Sequence, residues 1–82
     1  MKARDPHYHL SVMQSANLSI KIRTTLLERD QTLHGWLKEH GVTCDPKKIK
    51  TPQSWRISYG MLHRIAKAFG SRTDRFYKEL GQ

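Results

Sequence analysis

An all-α domain, a compact bundle of about five short helices, is the fold this 82-residue sequence predicts. Three observations carry that expectation. Apolar residues recur at three- and four-residue spacing in several separate stretches, the period of a helix with one buried face. Serine, threonine or aspartate stands before most of these stretches and glycine after them, as helix caps and stops require. No stretch reads as a strand of period two.

In chain order, residues 1–17 show no period and read as a flexible N-terminal arm, leaving 18–82 as the folded domain. Pro6, the pair His7 and His9, and the polar run from Gln14 to Asn17 set that boundary. His-Tyr-His is half a metal site. No cysteine or carboxylate at helical spacing completes it, so the histidines read as exposed tail residues. Lys2 and Arg4 have the character of a basic arm that enters a DNA minor groove. Ser19 is a good cap for a first helix running to about Arg29, with Ile20, Ile22, Leu26 and Leu27 as its apolar stripe. Lys21, Arg23 and Arg29 then face outward.

The second helix is the clearest. Thr32 is a natural cap, and Leu33, Trp36, Leu37 and His40 fall at i, i+3, i+4 and i+7. Gly41 supplies the left-handed residue that ends it, with Val42 as the apolar contact that follows. Trp36 is expected in the core and His40 as a packed or capping side chain.

Residues 43 to 58 carry the chemistry of greatest interest. Asp45 can cap a short helix with Pro46 at its first position. Lys47, Lys48, Ile49 and Lys50 form about one turn before Pro52 stops it, since proline lacks an amide donor and disfavours helix at Thr51. Ile49 is the single apolar anchor, leaving three lysines to face outward. A solvated loop can look the same, but the position directly after a helix and its glycine stop favours phosphate or base contact. Gln53, Ser54, Trp55 and Arg56 follow as a loop that mixes donors for base edges with a guanidinium for phosphate. Trp55 is expected to lock that loop onto the core.

Beyond it, Ser58 caps a helix whose stripe is Leu62, Ile65, Ala66 and Phe69, with Ile57 as a staple onto Leu62. Gly70 ends that helix. Ser71 or Thr73 then caps a last helix carrying Phe76, Tyr77 and Leu80, with Asp74 placed as in a capping box. Each of the five helices is expected to run 8 to 14 residues, close to the ordinary length of about 10–14.

Fifteen Lys and Arg against seven Asp and Glu leave a formal charge of +8. An excess of that size on so short a chain predicts attraction to polyanions, DNA or RNA first. A membrane partner is disfavoured, because no apolar run approaches spanning length and no helix pairs a broad apolar face with a basic one. The single cysteine, Cys44, makes no internal disulfide, which fits a reducing cytoplasm. Catalysis is not expected. Paired carboxylates, a Gly-rich phosphate loop and HExxH are all missing, and Cys44 near His40 lacks an orienting third group. No cofactor, metal or small-molecule substrate is expected either.

Two pieces carry a family resemblance over residues 19–81. TLHGWLKEHGV, residues 32–42, resembles the helix and turn of the Cro/Xre-type, lambda-repressor-like helix-turn-helix regulators, the small Ner-like phage proteins above all. ISYGMLHRIAKAFGSRTDRFYKEL, residues 57–80, is similar to the fourth and fifth helices of that group. The resemblance implies a sequence-specific, double-stranded-DNA-binding transcriptional regulator of phage type, a repressor in the first instance. It maps Lys47, Lys48, Lys50, Thr51 and Gln53 to the segment that enters the major groove, with Ser54 and Arg56 flanking it. Thr32 and Leu33 map to where backbone amides meet phosphate. A symmetric homodimer on half-sites about one helical turn apart would complete the arrangement. Leu37 stands where the group has a small residue, and Pro52 where the recognition helix has its second apolar residue. The alternative is a protein-binding module, an antitoxin or a phage factor that captures a host protein, using Tyr59, Met61, Phe76 and Tyr77.

Overall fold

The computed structural model describes residues 6–82. The elements run β1 (His7–Leu10), α1 (Val12–Arg29), α2 (Leu33–Glu39), α3 (Pro46–Lys50), β2 (Trp55–Ser58), α4 (Tyr59–Ala68) and α5 (Thr73–Leu80). Among the described residues there are five helices, as expected, though their lengths of 18, 7, 5, 10 and 8 residues spread more widely than anticipated. The fold is mostly α rather than all-α, because two short strands pair.

That pair overturns the reading of residues 7–17 as a flexible arm. β1 lies antiparallel to β2 in the register His7↔Ser58, Tyr8↔Ile57, His9↔Arg56 and Leu10↔Trp55. Strand side chains alternate between faces, so Leu10, Trp55 and Ile57 enter the core while His7, His9 and Arg56 point outward. Leu10 is completely buried. The Tyr77 hydroxyl donates to the His9 carbonyl at 2.7 Å and ties the strand to α5. Lys2 and Arg4, the expected groove arm, lie outside the described residues.

α1 begins seven residues earlier than Ser19. Ser11 caps it in a reciprocal box with Gln14: the Ser11 hydroxyl accepts from the Gln14 amide, and the Gln14 side chain accepts from the Ser11 amide. Ser19 lies in the helix interior, buried with Ser15, Leu18 and Ile22. Ile20 and Leu27 do not join the buried stripe expected of them and are 61% and 84% exposed. Successive helical residues turn by about 100°, so Ile20 and Ile22 stand about 200° apart and cannot share a face.

α2 matches its pattern. Thr32 caps it by accepting from the Gly35 amide, and Gly41 adopts φ 68° while Val42 donates back to the Leu37 carbonyl at 2.8 Å. Trp36 is buried. α4 is likewise capped by Ser58, whose hydroxyl accepts from the Met61 amide. At α5 the expected cap is absent. Arg72 occupies the N-cap position with no side-chain bond, Ser71 turns to the Arg72 carbonyl, and the Thr73 hydroxyl is engaged with His63 Nδ1 at 3.0 Å.

A single core cluster joins these elements, with Trp36, Ile49, Trp55, Leu62, Ile65 and Phe76 among its members. α1 is its axis, packing on β1, α2, α3 and α5, while α4 closes over β2 and α5. Among the described residues no helix is long and apolar enough to cross a membrane.

Candidate nucleic-acid interface

The lysine turn is held by one cap, one anchor and one neighbour. Asp45 accepts from the Lys47 amide at 3.0 Å, and Pro46 occupies the first helical position, where a missing amide costs nothing. Ile49, 1% exposed, pins α3 into the core. Thr51 leaves the helix for extended backbone, as the following Pro52 requires, so α3 stops at five residues. Arg23 of α1 reaches across and donates to the Lys50 carbonyl at 3.1 Å.

Of the three lysines, Lys47 and Lys50 are exposed. Lys48 is half-buried, its Nζ 5.8 Å from the centre of the Trp55 ring, a cation–π arrangement that keeps the ammonium at the surface while its stem covers the indole. The loop after α3 is fastened too. The Gln53 amide donates to the Ser15 hydroxyl at 3.2 Å, and its side-chain nitrogen lies 3.3 Å from the Thr51 carbonyl. Ser54 Oγ pairs with His9 Nε2 at 2.9 Å. Trp55 is 9% exposed and locks onto the core as expected, but within β2 rather than in a loop. Arg56 stands on the outward face of that strand beside His9.

Lys47, Lys48, Lys50, Thr51, Gln53, Ser54 and Arg56 therefore form one continuous surface around α3, extended by Arg23 and His9. Neither of these last two is singled out by the sequence pattern. They lie 27 and 45 residues from their partners, a separation that no local pattern reports. Among the described residues, no ion pair engages Arg23, Lys47, Lys48, Lys50 or Arg56. Arg23, Lys47, Lys50 and Arg56 are exposed and Lys48 is half-buried; Asp45 caps α3 among them, and Asp30 shares a groove with Arg23.

Thr32 and Leu33 do not join them. Among the described residues no hydrogen bond links either one to the segment 47–56, and α3 packs on α1 rather than chiefly on α2. Gln31, just before the α2 cap, donates to the Glu39 carboxylate at 2.9 Å. That bond, helped by the charges of His40 and Arg29, holds the Glu39 carboxyl below its ordinary value of 4.5.

Cys44 shows no sign of activation. Burial pushes its thiol above the ordinary 9.0, and the Asp45 carboxylate adds to the rise, so the neutral thiol is favoured over the nucleophilic thiolate. The described residues contain no group of three or more His, Cys, Asp or Glu able to hold a metal ion. No family model matches this chain, and neither the curated proteins nor the solved structures provide a match.

Proposed function

We propose that this chain is a DNA-binding regulator that occupies a duplex site through α3 and its flanks, acting in the cytoplasm as a transcriptional repressor. The observation that carries this reading is that Arg23, Lys47, Lys48, Lys50 and Arg56, on neighbouring stretches of α1, α3 and β2, have no ion-pair partner among the described residues. Unpaired cations at that density displace counterions from a phosphate backbone, and the release of those counterions drives most of such binding. α2, the turn 40–45 and α3 act as a helix-turn-helix with a second helix of five residues. Lys47 and Lys50 contact phosphates or guanine edges. The Gln53 amide nitrogen is drawn to its own backbone, leaving its oxygen for a base donor, so phosphate contacts outweigh base readout.

Of the four residues the rival protein-binding reading uses, Tyr59 stays exposed and the other three are less free. Phe76 is buried, the Met61 sulfur accepts from the Thr43 amide, and the Tyr77 hydroxyl is tied to His9. Titrating DNA that flanks the protein's own gene, beside a scrambled duplex, at two salt concentrations tests the proposal. Binding that weakens steeply with salt and prefers the flanking DNA supports it. No binding, or equal and salt-insensitive binding to both duplexes, overturns it.

A further inference from the structure

α1 is apolar on two opposite sides, and the fold uses only one. Leu18 and Ile22 are buried, whereas Met13, Ile20 and Leu27 are 61%, 61% and 84% exposed. These three residues are seven apart, two helical turns, and fall within about 20° of one line along the helix. Between them on that face stand the small side chains Ala16 and Thr24. Aligned on one face with only small side chains between them, the three offer a narrow apolar strip to a partner.

We infer that this stripe is the interface of a homodimer in which two copies of α1 pack antiparallel about a two-fold axis at Ile20. Ile20 lies midway between Met13 and Leu27, and α1 runs from Val12 to Arg29, so its centre coincides with the centre of the stripe. A two-fold axis there sets Ile20 against itself and Met13 against Leu27 of the second copy, an isologous contact. At Leu27 a shallow groove opens, lined also by Arg23, Leu26, Asp30 and Gln31. The flexible thioether of Met13 is the side chain best able to fill it.

Charge selects the orientation. Residues 12–20 of α1 carry none, while Lys21, Arg23, Glu28 and Arg29 all lie in the second half. Antiparallel packing lays each charged half on an uncharged one; parallel packing would stack two net-positive halves. The face of an 18-residue helix is roughly 27 Å long and about 10 Å wide, well short of the roughly 800 Å² per partner of a standard interface. The dimer is therefore weak and reversible, at the low end of the interface range.

One consequence rests on the DNA-binding reading, although the dimer itself does not. α3 flanks α1 on the Arg23 and Ser15 side, while α5 flanks it on the other, where Asn17 donates to the Leu80 carbonyl. An antiparallel two-fold axis, perpendicular to α1 and lying in the contact plane, keeps both copies of α3 on the same side of the dimer. The lysine turns then form one cationic surface.

Sedimentation of the full chain over a concentration series, without DNA, tests the interface apart from the function. A monomer–dimer equilibrium that Ile20→Glu weakens by about a hundredfold, with an unchanged melting temperature, is expected, since each dimer buries two such residues. Because like-charged chains repel, salt should strengthen the dimer while weakening DNA binding. For orientation, cysteine variants are made in a Cys44→Ser background. Met13→Cys and Leu27→Cys should cross-link when mixed but neither alone, whereas Ile20→Cys should cross-link with itself. A chain that stays monomeric up to millimolar concentration, a dimer indifferent to Ile20→Glu, or self-cross-linking of Leu27→Cys overturns the inference. So does a monomer whose stripe binds anionic vesicles in an Ile20-dependent way.

Discussion

Replacing Lys47 and Lys50 together by alanine isolates the electrostatic claim. Both side chains are exposed and free of ion pairs among the described residues, and alanine is the better helix former, so the fold should be unaffected. With Arg23, Lys47, Lys48, Lys50 and Arg56 each neutralising one phosphate, log affinity should fall against log salt with a slope of about −4.5. Removing two of the five cations leaves about −2.7. Between about 50 and 200 mM salt the parent chain therefore loses roughly 500-fold in affinity and the variant roughly 40-fold. Fluorescence anisotropy with a labelled duplex measures both slopes, and a thermal melt confirms that the variant is folded. A variant slope equal to the parent's would mean that phosphate is met elsewhere, and the assignment of α3 to the interface would fall.

Three further outcomes follow from particular contacts. Leu10→Ala should cost about 2–5 kcal/mol and lower the melting temperature by roughly 8–40 °C, because the residue is fully buried; an unchanged melt would restore the arm. Thr32→Ala should lose a cap, about 1 kcal/mol, yet leave the DNA salt slope unchanged; a shallower slope would put α2 back at the phosphate. The Cys44 thiol has a folded value raised above 9.0, so its contribution to stability is complete below the unfolded value and is lost as pH rises through the folded one. Alkylation of the native chain should reach half its maximal rate at a pH above that of the denatured chain, and a midpoint below it would contradict the burial.

What was legible in the residues depended on how local each signal was. Thr32, Gly41, Asp45, Pro46, Ser58 and Gly70 act within four residues of themselves, and each performs its expected role. The two strands carry no such signal. His-Tyr-His-Leu and Trp-Arg-Ile-Ser do alternate, but over four residues each, and their pairing closes a long stretch of chain that no local window spans. The start of α1 had a local sign as well: Ser11 with Gln14 is a capping box, masked by the polar run around it and by Ser19, which suits a cap equally well. Its stripe misled for a geometric reason. Ile20 and Leu27 are as apolar as Ile22, and periodicity alone does not say which of two apolar faces is turned inward. At the candidate site the lysines were legible, whereas Arg23 and His9 were not.

The assembly of that site explains why it is unpaired. Its cations arrive from α1, α3 and β2, each fixed by its own backbone: Arg23 by a helix with a buried face, Lys47–Lys50 by the Ile49 anchor, Arg56 by the strand register. Side-chain ion pairs contribute little at an exposed surface, so core burial can hold like charges together where surface pairing could not. The repulsion among them lowers the stability of the free chain. A bound polyanion relieves it, and a ligand that binds only the folded state stabilises that state by RT ln(1 + L/Kd), with L the free ligand concentration. The carboxylates occupy other roles: Asp45 at a helix cap, Glu39 on Gln31, Asp74 and Glu79 against arginines of α5 and its cap. Of these only Asp45 stands at the lysine turn, and its hydrogen bond is made to the Lys47 backbone, so it forms no ion pair with the lysine ammonium groups.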